Sequence, residues 1–217
     1  MPADSNKKAP YGFLAAQDLP ETDIFDERIL PDAKTMRFAT TGDYSQIAKN
    51  HCGAVCASNV LLCLGGGTGL HRAPASAKGT LSAEDLPEQS EQSLLRNRVF
   101  SIMHRLMGNG PVFTLNGSIK KGARDLGFLI LSERASSRPD IIRSIDNGKP
   151  VALMLANGIF DWHWVLCVGY RRYPLAYGGK TYLRLANSWS PEADVFYVPG
   201  EGARILSGRA YYTVQPD

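Results

Sequence analysis

Beyond Pro150 the chain changes character. "PVALMLA", "DWHWVLCVGYRRY", "KTYLRLANSW", "DVFYVP" and "RAYYTVQ" follow one another as short runs rich in β-branched and aromatic residues, separated by Gly, Pro and Asn. That punctuation predicts strands of an antiparallel sheet. Upstream, apolar residues recur at helical spacing instead. Ala54, Val55, Asn59, Val60, Leu61, Leu62 and Leu64 predict a buried helix that begins at or just after Cys52 and stops at Gly65-Gly66-Gly67. Leu94, Leu95, Val99, Ile102, Met103, Leu106 and Met107 predict a second, with Gly110-Pro111 as its stop. "NGSIKKGARDLGF" reads as a short helix closing at Gly127, "FLILSE" as a strand, and "SSRPDIIRSIDNGKP" as a helix leading into the strand "PVALMLA". Helices first and an antiparallel sheet second is an α+β arrangement.

Residues 1–42, rich in Pro, Asp and short polar stretches, read as an irregular arm lying on a single domain that spans 43–217. The turn-rich stretch from Gly67 to Gln89 reads as a surface excursion.

Composition excludes several function classes. The chain has 217 residues, of which 44% are hydrophobic and 21% charged, so it can bury a proper core. A net charge of +3, with Lys and Arg dispersed, leaves no electrostatic footprint for nucleic acid. The densest basic spot, Tyr170 to Tyr173, reads as a solvated strand end. No apolar run approaches the length needed to span a bilayer. The N-terminal stretch lacks the apolar core of a secretory signal, and a secreted or a cytoplasmic location both stay open. Four cysteines without a second spaced pair make neither a disulfide framework nor a two-plus-two zinc site. His51 next to Cys52 and Cys56 lacks a fourth ligand, and "GGGTG" lacks the Lys of a phosphate-binding loop. No metal or cofactor is expected. His71 and His104 have no partner identifiable from the pattern, and oligomeric state has no signature.

Chemistry concentrates elsewhere. In "FDWHWVLCVGY" side chains alternate, so His163, Val165, Cys167 and Gly169 share one side while Trp162, Trp164 and Leu166 share the other. The next strand ends in Asn187 and Trp189, two apart and so on one face. An Asn there can accept the imidazole Nδ1 proton and fix the tautomer, while a Trp over that bond keeps water away. Asp161 is a rival orienter, poorly placed on the same strand. Cys52 opens a helix, where the positive end of the helix field favours thiolate over thiol. Cys56 lies one turn in and Cys63 near the far end, and both read as small core residues. Gln46, six residues ahead of Cys52, can fold back so that its amide and the Cys52 backbone N–H point at one carbonyl oxygen.

The series "Q-x-x-x-x-x-C-G" from Gln46 to Gly53, a helix, then "H-W-V-L-C-V-G-Y" and "A-N-S-W" resembles the papain-like cysteine peptidases. Within them it is most similar to the bacteriocin-processing (double-glycine leader) peptidases and their stand-alone relatives, as is "GKPVALMLANG" ahead of the histidine strand. The match spans roughly Tyr44 to Trp189. The resemblance implies a papain-like fold and a peptide or protein substrate. It implies Cys52 as nucleophile, His163 as general acid/base, Asn187 as its orienter, Gln46 as oxyanion donor and Trp189 as shield. Papain's own pattern puts the nucleophile second in "C-G-x-C-W", but here the second cysteine comes one residue later and precedes Ala57, so Cys52 is preferred over Cys56. The leader peptidases usually carry Asp at the third triad position and often just before the Cys, where this chain has Asn187 and His51. A silent binding module, or an amidase or acyltransferase using the same thiolate, are the alternatives.

Overall fold

The computed structural model describes residues 11–65, 91–109 and 114–214. It is an α+β fold with one antiparallel sheet and, among the described residues, four α-helices. The sheet is assembled around β5, Trp162–Arg172, whose core residues Val165, Leu166, Cys167 and Val168 are fully buried. β4 (Val151–Ala156) and β6 (Thr181–Ala186) flank it, and β7 (Val195–Tyr197), β8 (Arg204–Thr213) and β3 (Ile130–Arg134) extend it outward. The helices are α1 (Cys52–Gly65), α2 (Glu91–Met107), α3 (Leu115–Asp125) and α4 (Arg138–Asp146).

Local chemistry explains several boundaries. α4 starts where the Ser137 hydroxyl accepts the Asp140 N–H, and Pro139 fits the first turn because its missing N–H is not needed there. α1 buries nearly its whole length, from Gly53 to Cys63, which suits its run of Ala, Val, Leu and Cys. The Gly67–Gln89 excursion, His71 and the Gly110-Pro111 stop lie outside the described residues.

The N-terminal segment differs from the expected irregular arm. β1 (Phe13–Ala15) pairs with β7, and β2 (Asp26–Ile29) pairs with β5 beyond the point where β4 ends. Both strands fall in the weak apolar clusters "YGFLAA" and "IFDERILP", which hide them because each strand is short and gains its stability from an existing edge. Further on, the Asn59 side chain of α1 accepts from Ala39 N at 2.8 Å and donates to Ala39 O at 3.0 Å, tying the segment to the helix. The basic spot in "YRRY" is also better occupied than expected. Arg171 and Arg184 both donate to Glu27 of β2, and Arg172 pairs with Asp26.

β2 can lie against β5 because position 169 is glycine. A Cβ there would sit 2.4 Å from Arg28 O and 3.1 Å from Ile29 Cα. The Gly169→Ala variant should therefore lose about 1–3 kcal/mol of stability through overpacking. Gly117, exposed in α3 with open space around it, supplies the control. Gly117→Ala should gain roughly 0.5–1 kcal/mol. Urea unfolding of both variants checks the pair, and a neutral Gly169→Ala would contradict the packing of β2.

Candidate active site

Cys52 is the first residue of α1 and keeps partial solvent exposure, whereas Cys56, Cys63 and Cys167 are buried; all four are free thiols. The backbone amide of Trp164 reaches the Cys52 sulfur, as do the amides of Gly53 and Cys52 itself. Cys52 is thereby held beside β5, one residue past His163.

His163 is 4% exposed. Its Nε2 lies 2.6 Å from the backbone carbonyl of Asn187. A carbonyl only accepts, so Nε2 carries the proton and the neutral ring keeps its lone pair on Nδ1. This corrects the expected arrangement in two respects: the bonded nitrogen is Nε2, and the acceptor is the Asn187 main chain. The Asn187 side chain has another task. Its Oδ1 accepts from Trp189 N and Ser190 N, each at 3.0 Å, and closes a turn through Ser188 at φ 67°. Asn187 thus positions its own carbonyl by holding the turn that follows it. Trp189 stacks on the imidazole, with ring centroids 4.3 Å apart and planes 14° from parallel.

Burial decides the charge state of both groups. It raises the Cys52 thiol above its ordinary value, with the three backbone amides acting in the opposite direction. The expected lowering by the helix terminus is present as those amides, but desolvation outweighs it. Burial also lowers His163 to about 4, opposed by the Asn187 carbonyl and the Asp161 charge. At neutral pH the resting site therefore holds a neutral thiol and a neutral imidazole.

A residue missed in the sequence stands over this pair. Tyr11, 4% exposed, sets its ring 5.6 Å from His163 and 5.9 Å from Trp189, between centroids. Its hydroxyl donates to Asp161 Oδ1, and Asn157 Nδ2 donates to Asp161 Oδ2 at 3.3 Å. Burial and Asp161 raise the Tyr11 phenol, and Cys52 lies within electrostatic reach. Backbone interlock fixes it: a Cβ on Gly202 would come 2.6 Å from Tyr11 O, and both Gly12 and Gly202 have positive φ. The "YGF" triplet carries a signal only in hindsight, since its partner glycine is far along the chain. Asp161, weighed as an orienter of His163, instead shares Tyr11 and Asn157.

The remaining candidates have other surroundings. Gln46 is exposed in the turn that covers residues 41–47. His51 packs edge-on to Tyr44 and Phe100, where burial lowers its pKa. His104 meets Asn109 Oδ1 at 2.9 Å and stacks on Phe100. Among the described residues no cluster of three metal-ligating side chains occurs, and no helix is long and apolar enough to cross a membrane.

No protein-family model matches the chain, and no curated protein matches it. A solved structure of a candidate C39-like peptidase from Bacillus anthracis is similar to it at a TM-score of 0.46 and 11% identity, over 88% of this chain and 99% of that one.

The buried imidazole sets a pH dependence. Below pH 6.5 the unfolded chain takes up a proton that folded His163 refuses until about pH 4, so stability must fall as pH drops through that window. The loss from this one residue is on the order of 3 kcal/mol, and the depressed His51 acts in the same direction. Urea unfolding at several pH values should show the decline, and His163→Asn should remove most of it. Equal pH slopes for the two proteins would contradict the buried neutral imidazole.

Proposed function

We propose that this chain is a papain-like cysteine peptidase that hydrolyses peptide bonds through a thioester on Cys52. The observation that carries the reading is the Trp164 amide at the Cys52 sulfur, one residue after an imidazole whose tautomer leaves Nδ1 free to take a proton.

In this reading the thiol gives its proton to His163 Nδ1 as the sulfur attacks the substrate carbonyl carbon. Starting from a neutral pair suits a general-base step, in which charge appears only as the sulfur bonds to carbon. The Cys52 backbone N–H and the Gln46 amide receive the oxyanion, Gln46 turning in from its exposed position. His163 then protonates the departing amine, which leaves a thioester on Cys52. A water molecule, deprotonated by His163, attacks that thioester and regenerates the thiol. Asn187 holds the imidazole through its carbonyl, and the Trp189 stack excludes water from that bond. Residues 43–217 form the catalytic domain in this reading, and the N-terminal segment contributes Tyr11. A catalytically silent papain-like module is the second reading, favoured by the burial that keeps both groups uncharged.

Turnover separates the two. On casein and a panel of dipeptidyl amides, Cys52→Ala should lose at least about 1,000-fold in rate with its circular dichroism unchanged. Undiminished turnover in that variant would refute the assignment, and no turnover by the parent would favour the silent module. The acid limb of the parent's kcat/KM should follow His163 near pH 4. Tyr11→Phe removes the donor to Asp161, strengthens that carboxylate's pull on His163, and should move the limb to higher pH.

A further inference from the structure

Between β3, β8 and the start of α3 lies a pocket of about 340 Å³ that the proposed chemistry does not use. Trp164 and Met154 form its apolar wall, and Leu115 brings in the start of α3. Trp164 links it to the thiol, since this residue lines the pocket and its amide reaches the Cys52 sulfur.

Three features of the pocket favour negative charge. Arg134 and Arg209 both line it and stand directly opposite each other across the β3–β8 ladder. Like charges in that register repel, and an anion between them reverses the sign. Among the described residues neither arginine forms an ion pair with a carboxylate. Arg209 donates to Ser132 Oγ at a long 3.4 Å. α3 also begins here, and its N-cap Thr114 makes no side-chain cap bond, so the first-turn N–H groups add positive potential at the Leu115–Asn116 end. Finally, Tyr211 is fully buried at the pocket and its hydroxyl has no hydrogen-bond partner among the described residues.

We propose that this pocket receives the carboxylate side chain of a Glu or Asp in the substrate peptide, close to the bond that Cys52 attacks. The proposal rests on the peptidase reading for its substrate, and its site rests on the pocket alone. An acidic residue there would lie between two guanidiniums, with its methylene stem on Trp164 and Met154. A Gln of the same shape would gain the apolar contact without the charge.

Binding tests it without turnover. Blocked hexapeptide amides, each carrying one Glu or one Gln at successive positions, are titrated into the Cys52→Ala protein and followed by tryptophan fluorescence. At one position Glu should bind about 10-fold tighter than Gln, by an amount that shrinks with added salt. The advantage should vanish in Arg134→Gln/Arg209→Gln and persist in Arg134→Lys/Arg209→Lys. Equal binding of the Glu and Gln peptides at every position, or an advantage that survives Arg134→Gln/Arg209→Gln, would overturn the proposal. Selective Glu binding with no cleavage by the Cys52 protein would leave the pocket assigned and remove the peptidase reading instead.

Discussion

The contact between the start of α1 and β5 governs the rest of this molecule. A helix must leave its first amides without partners, and here a sulfur at its first position accepts from them and from Trp164 of the sheet. That contact fixes where the helical part meets the strands. It brings a thiol to the amide that follows His163, where the imidazole is buried and the thiol half-buried. Glycine at 169 and the Asn59 clasp on Ala39 then hold the N-terminal segment against the same core.

Burial at that junction has an electrostatic consequence. Desolvation penalises any charge, so the thiol rises, the imidazole falls to about 4, and the pair rests uncharged. In the proposed reading the surrounding polar groups suit a charge that arises only transiently. Asn187 offers a carbonyl to Nε2, which becomes a stronger bond when the ring is protonated. Asp161 lies near enough to favour the imidazolium, yet both its oxygens are engaged by Tyr11 and Asn157. Asp161 is thus a tempered counter-charge, and Tyr11 is the residue that tempers it.

Much of this was legible before any coordinates. The helices from Cys52, through the Leu94–Met107 pattern, and after Ser137 follow from apolar period and capping, and β4 to β6 follow from β-rich runs between Gly and Pro. The placement of Cys52 at the first turn of a helix and of His163 near the start of a strand was legible because each sits at the end of a strongly patterned element. What escaped depends on partners remote in sequence. β1 and β2 are three and four residues long, and only β7 and β5 make them strands. Tyr11 belongs to the site because Gly202 and Asp161 receive it, which no local window contains. The strand pattern points to a side-chain bond from Asn187, whereas a left-handed Ser188 turns the main chain to His163 instead. The helix field and a neighbouring imidazolium point to a lowered Cys52 pKa, which underweights desolvation.

The central claim is that Cys52 is the atom that bonds to substrate, and a trapped acyl group tests it most directly. The protein is mixed with an activated peptidyl ester, quenched in acid within milliseconds to seconds, digested and read by mass spectrometry. The account predicts the acyl mass on the peptide containing Cys52, as a hydroxylamine-labile thioester that fails to form in His163→Asn. An adduct confined to Cys56, Cys63 or Cys167, or the absence of any thioester while the ester is being turned over, would contradict it.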